Sequence, residues 1–428
     1  MECKLEPAAY WAAWADALAM LHARIPEYAN QLCAELSQVE HMANEYPALS
    51  IPASLPSCLA EAEEARRLLV SEGFSECPSW DELLRGKRPP VVSPIQREVG
   101  EWAHGWQFYA SRTREQRCLE FHVRPNLSRS DLALLRSQSG MHAGRFLRVL
   151  PTVLQLRIQP HILQCLLRRR LRLGIPGGLK FCPKCRKLHE SAGVRTWSKV
   201  RLDIFGDHLA ACTKTGRIKR RSRPLEVMWM QIFGEAGGQV VPNARLKDLR
   251  VGVDPSNKRQ IEFAVYGLRL FGGIPLLCDS TQGSPFRADG NPHPRTCTED
   301  GATCSRIEKP KNDTYSEVVR SSGWKLVTLA CEVGGRWSLT CLSVVSELAK
   351  FKARQEPAHL QKAVEFAYLS RWWSLLSVSA HTAFAESLVT SDPMTIQPTS
   401  DYEPQTSTVV LDSRFEVGPA FSRLPLRG

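Results

Sequence analysis

No apolar run in this 428-residue chain reaches 18 residues, so the sequence offers no transmembrane helix. Glu2, Glu6 and Asp16 interrupt the Ala- and Trp-rich N-terminus, and no A-x-A site follows, so it does not read as a secretory signal. There is no internal repeat, no glycine loop that would cradle phosphate, no nucleophile elbow and no Ser-His-Asp arrangement. Nucleotide hydrolysis and serine-nucleophile chemistry are therefore left without a motif. Cysteines number 14, yet apart from one Cys-x2-Cys pair they are scattered singly. In a long chain without a secretory signal they read as reduced thiols of an intracellular protein.

What is present is positive charge, unevenly placed. The chain carries a formal +12, which favours a polyanionic partner. Residues 165–224 hold 17 Lys or Arg against three acids (Glu190, Asp203, Asp207), a balance of +14. That window exceeds the charge of the whole chain and is the region in which to look for nucleic-acid chemistry. The 43% hydrophobic content is ordinary for globular domains, and the length suits two or three of them.

Residues 1–45 carry a helical pattern, with Trp11, Trp14, Ala15, Leu18 and Leu21 on one face. A second helical stretch at 58–71 precedes a proline-rich loop at 77–94, where a domain boundary is expected. Helices resume over 95–172, one of them capped near Ser128. Residues 224–237 form an amphipathic helix with Pro224 in its first turn and Leu225, Met228, Trp229, Ile232 and Phe233 as its stripe. Strand-like runs follow at 239–241, 261–266, 274–278 and 325–331, with a helix at 308–320 before the last. That order describes a mixed α/β domain. Two helices at 338–354 and 357–389 follow. Within the second, Arg371–Trp372–Trp373 reads as core packing ahead of base stacking. The Ser-, Thr- and Pro-rich tail from 391 reads as disordered.

Two groups of residues carry chemistry. Cys182 and Cys185 can reach one ion from a tight turn, and His208 and Cys212 lie about one helical turn apart. Together they make a closed Cys3His set, the composition of a structural zinc site across a 22-residue loop. His189 is a competing ligand to His208. Around this loop Arg186, Lys187, Lys219, Arg220, Arg221 and Arg223 are expected to face phosphates, with nuclear import as a further reading of the 219–223 run. The second group suits metal-dependent phosphodiester cleavage, which needs carboxylates for Mg2+ and a lysine near the attacking water. Glu262 and Asp279 lie on successive strands, Lys311 on the next helix, and Glu226 is a further oxygen donor. Asp300 and Glu308 read as helix-surface charges.

The run Cys182-x2-Cys185, Gly206-Asp207-His208, Cys212, Glu262 in R-Q-I-E, Asp279-x-Thr281 and Lys311-x3-Tyr315 resembles the C-terminal region of non-LTR retrotransposon polyproteins. The stretches 8–18, 134–140, 167–173, 331–338 and 371–378 resemble such elements from dinoflagellate genomes. The resemblance implies a zinc knuckle before a restriction-like endonuclease of PD-(D/E)xK type, whose lysine has moved from the strand, where Thr281 now stands, to the helix. Here Glu262 replaces the usual Asp, and Pro310 is expected to break the helix beside Lys311. No Asp-Asp pair occurs, so no reverse-transcriptase site is read; that domain would be supplied elsewhere.

The expected architecture is mixed α+β in six parts. These are helical regions 1–90 and 91–178, a basic zinc-knuckle segment 179–223, an endonuclease-like α/β domain 224–336, C-terminal helices 337–390 and a tail 391–428. The expected activity is Mg2+-dependent nicking of target DNA, with DNA or RNA as partner, no membrane, and a nuclear location. The alternative is a zinc-dependent nucleic-acid-binding remnant without catalysis.

Overall fold

A computed structural model of the chain describes residues 6–45, 57–89, 105–175, 180–191, 194–249 and 251–389. The tail expected to be disordered lies outside these residues. The protein is mixed α and β, and among the described residues no helix is long and apolar enough to cross a membrane. It divides into two compact units between Leu127 and Ser128, not near residue 90.

The first unit is helical: α1 (Pro7–Arg24), α2 (Pro26–Glu45), α3 (Ser57–Ser71), α4 (Trp80–Leu84) and α5 (Trp106–Arg117). The single pattern read over 1–45 is two helices, because Pro26 opens a second one just after Ile25. Trp11 is completely buried, edge-on to both Phe74 and Trp106. Trp106, Tyr109 and Ala110 thus belong to the same core as α1, which is why the proline-rich stretch is not the boundary. Glu63 is buried and accepts hydrogen bonds from Arg66 Nε at 2.8 Å and Trp80 Nε1 at 2.9 Å. Its charge is thereby satisfied inside the core.

The second unit opens with α6 (Arg129–Gln138), whose N-cap is Ser128, and α7 (Pro160–Arg170). The segment read as a loop around the metal ligands contains an antiparallel hairpin, β1 (Phe181–Ser191) and β2 (Val194–Arg201). A short helix α8 (Asp207–Ala211) and the long α9 (Arg217–Glu235) follow. α9 starts seven residues ahead of Pro224, which lies inside it. The first-turn rule for proline gives way here because Arg217 and Arg221 are buried on the face that also buries Leu225.

Then come β3 (Gln239–Arg245), β4 (Gln260–Tyr266), β5 (Leu276–Gly283), α10 (Ala302–Thr314), α11 (Ser316–Arg320), β6 (Lys325–Glu332), α12 (Leu339–Ala353) and α13 (Gln361–Val389). The sheet order is β3-β4-β5-β6, with the first two pairings antiparallel and the last parallel. Alternation along the strands splits the sheet into two faces. Phe263, Cys278, Val327 and Leu329 join the large core built with α9, α12 and α13. Ala264 and Leu277, on the other face, join a smaller core with Tyr315 and Val318, and Ile261 at the start of β4 reaches it too. α10 runs unbroken through Pro310, so the expected break beside Lys311 does not occur.

Trp372 and Trp373 are in the core, and Trp372 Nε1 donates to Glu235 at 2.7 Å. Close packing also explains Gly334–Gly335. A Cβ on Gly335, whose φ is +105°, would stand 2.4 Å from the Ala143 carbonyl oxygen and 2.8 Å from the His381 ring. Burial lowers His381 to a pKa of about 4 and His142, stacked on Trp373, to about 3. Both are neutral when folded, whereas the unfolded chain protonates them near 6.5. Their stabilising contribution is therefore present above that value and is lost as pH falls, down to about 4 for His381 and about 3 for His142. His381→Phe should flatten the acid limb of a stability–pH curve by about 1.4 kcal/mol per pH unit. An unchanged slope in urea unfolding between pH 6 and 4.5 would contradict this.

Candidate metal and carboxylate sites

The metal-ligand types gather as the spacing requires. One ligand atom each from Cys182, Cys185, His208 and Cys212 lies within 4.8 Å of all the others. The Cys185 and Cys212 sulfurs are 3.5 Å apart. A tetrahedral ion with ~2.3 Å metal–sulfur bonds separates its sulfurs by about 3.8 Å, so the group could hold a metal ion such as zinc. His189 is elsewhere, bonded to Ser198 Oγ at 2.7 Å on the hairpin.

The chemistry of the donors fits a metal. His208 Nδ1 lies 2.6 Å from the Ala288 carbonyl oxygen, which fixes that nitrogen as the protonated one. Nε2 is buried without a hydrogen-bond partner, so its lone pair is left for an ion. Burial opposes the Cys182 thiolate, but the N–H groups of Lys184 and Cys185 bring it down to about 7. Burial, with the Cys212 and Cys182 sulfurs beside it, raises Cys185 to about 12. A cation among these sulfurs would relieve that crowding.

The support for this cluster is not obvious in the sequence. Asp203 Oδ1 accepts the N–H groups of Phe205 and Asp207, and Oδ2 that of His208, each at 2.9 Å. One carboxylate thus holds the turn leading into α8. Asp207, 2% exposed, is gripped by Arg169 at 2.9 Å and Arg172 at 2.7 Å. Part of the arginine run at the end of α7 is therefore internal scaffolding. Asp203 could have been found as an acid three residues before the glycine that opens a short helix.

Arg186 and Lys187 are exposed on the hairpin, and Lys219, Arg220 and Arg223 are exposed on α9. Arg221 corrects the expectation. It is 2% exposed and donates to the Ala210 carbonyl at 2.8 Å and the Gln282 carbonyl at 2.9 Å. It cannot meet a phosphate there; it ties α8 to β5. The i, i+4 sequence Arg217, Arg221, Leu225 was the available clue.

The second group assembles on the smaller-core face of the sheet. The β4–β5 ladder pairs Phe263 with Cys278, which places Glu262 and Asp279 one step further on, side by side. Asp279 is 1% exposed. Lys311 Nζ approaches its two oxygens at 2.7 and 2.8 Å. Glu262 Oε2 accepts the Ser280 N–H at 2.6 Å. Burial first, then the Asp279 charge and more weakly Glu226, push Glu262 up to about 8. A buried and a half-buried carboxylate share this face with one lysine, so a divalent cation would be balanced once Glu262 gives up its proton. Tyr315 lies alongside, donating to the Gln260 carbonyl at 3.1 Å, its phenol pushed up by burial and by Asp279.

Gly283 sets the height of α10 above this face. A Cβ there would lie 2.9 Å from the methyl groups of Thr303 and Ile307, so the helix carrying Lys311 approaches only because the side chain is absent. The two acids set aside as surface charges differ. Asp300 is exposed and pairs with Arg136 at 2.6 Å, whereas Glu308 is half-buried and its carboxyl is raised by burial. Comparison with protein-family models and with curated protein sequences finds no match to this chain.

Proposed function

We propose that this chain is a metal-dependent DNA-nicking endonuclease of PD-(D/E)xK type, derived from a non-LTR retrotransposon, with a zinc-anchored basic segment that holds nucleic acid. The observation that carries the reading is the meeting of Glu262, Asp279 and Lys311 on one sheet face. The order helix, three antiparallel strands, helix, parallel strand supports it. So do the exposed cations of β1 and α9, on the same unit as the carboxylates.

In this reading Glu262 and Asp279 would hold Mg2+, which supplies charge for the scissile phosphate and acidifies a bound water. Lys311 would orient the attacking water and balance charge on the phosphate as the bond to the leaving oxygen breaks. Glu262 remains protonated until a cation arrives, so metal binding and loss of its proton are coupled. A second reading, nucleic-acid binding without cleavage, is favoured by one observation: the lysine already contacts both Asp279 oxygens and would compete with a cation.

The test is conversion of supercoiled plasmid to open circles. Nicking is expected with Mg2+ or Mn2+ and none with EDTA; metal-independent nicking, or none under any metal, counts against the proposal. Gly283→Ala probes the geometry. It should lower stability by about 1–3 kcal/mol through overpacking. It should also slow nicking about 10- to 100-fold by lifting Lys311 away from Asp279. Unaltered nicking kinetics in this variant would show that the helix height does not matter.

A further inference from the structure

The β1–β2 hairpin presents an unusual face. In an antiparallel ladder, directly paired residues share a side. Trp197 pairs with Leu188, Lys199 with Arg186, and Arg201 with Phe181. Arg186, Leu188, Trp197 and Lys199 share one side of the regular ladder, and the register slips before the Phe181–Arg201 pair at the root of the hairpin. All six are exposed; Trp197 is 67% accessible and Phe181 49%. Among the described residues the Trp197 indole stays mostly accessible, although burying an indole is the ordinary outcome of folding. Across residues 181–201 there are six Lys or Arg and one acid, Glu190.

A solvated aromatic ring set among cations is the combination that binds a strand of nucleic acid whose bases are not paired. The cations follow the phosphates, and the indole stacks on a base face that a duplex would hide. The root of the hairpin holds Cys182 and Cys185, so a metal there would anchor an otherwise marginal two-stranded element. We infer that this face binds unpaired nucleotides, with Trp197 stacking on a base and Arg186, Lys199 and Arg201 on the flanking phosphates. This deepens, and rests on, the nucleic-acid reading given above.

The experiment is fluorescence anisotropy of the full chain with three labelled probes of equal length: a single strand, its duplex, and an abasic strand. Trp197→Ala should weaken single-strand binding about 5- to 150-fold, the range of one lost stack. Trp197→Phe should restore it to within about threefold. Duplex and abasic strand should bind both variants alike. Arg186→Ala with Lys199→Ala should weaken all three probes and flatten their salt dependence. Equal losses on single and abasic strands, or no loss on the single strand, overturn the stacking role while leaving nucleic-acid binding intact. Trp197-dependent binding to phosphatidylserine vesicles without an effect on the single strand overturns it in favour of a membrane. No binding to any probe overturns both this inference and the reading beneath it.

Discussion

Asp279→Asn should abolish nicking while leaving the protein folded and its affinity for DNA unchanged. The substitution keeps the side chain's shape at a site that is 1% exposed. It removes the charge that would hold a cation and face Glu262. Charge stabilisation by a metal is worth several kcal/mol, so the rate should fall by about 10²- to 10³-fold or more. Stability should move little. The variant loses the ion pair with Lys311, but that lysine is 33% exposed and keeps its hydration. A fall in nicking that only follows a fall in thermal midpoint would point to a structural role for Asp279 instead. Lys311→Met, which removes the cation and keeps most of the stem, should lose rate without losing metal affinity. A variant that loses both would place the lysine among the groups organising the site.

Cys212→Ser should have the broader consequence. It removes one of the four side chains that could hold a metal ion, and a structural zinc would need all four. Structural zinc contributes on the order of 10 kcal/mol to the folding of small sites, far more than the hairpin and α8 can supply alone. The damage should travel. Arg221 links Ala210 in α8 to Gln282 in β5, and His208 links the cluster to Ala288 in the loop after β5. Metal content should fall from about one zinc per chain to none. Proteolysis should then open at residues 181–212, and nicking should drop although no carboxylate has changed. A serine variant that keeps its zinc and its protease resistance would show that Cys212 holds no metal.

The Cys/His cluster was legible because Cys-x2-Cys and His-x3-Cys are local spacings, each set by a single turn of backbone. Glu262 and Asp279 were legible as acids in successive strand-like runs, and Lys311 as a lysine on the helix that follows them. The hairpin was not legible. Most of its side chains are exposed on both sides, so the alternation that marks a half-buried strand is missing. Arg221 was hidden for a related reason. Within a run of cations, composition says nothing about which one turns inward, and only the helical phase with Leu225 separates it from Lys219 and Arg223. The boundary at Leu127 was missed because prolines at 78, 89 and 90 look like a linker, while the burial of Trp106 and Tyr109 against α1 is a tertiary fact.

Mn2+ titration followed by electron paramagnetic resonance tests whether Glu262 and Asp279 jointly hold a divalent cation. Wild-type protein, with DNA present, should take up Mn2+ saturably, and Glu262→Gln and Asp279→Asn should each lose that site. Uptake that is identical in all three proteins, or absent from the wild type, would contradict it.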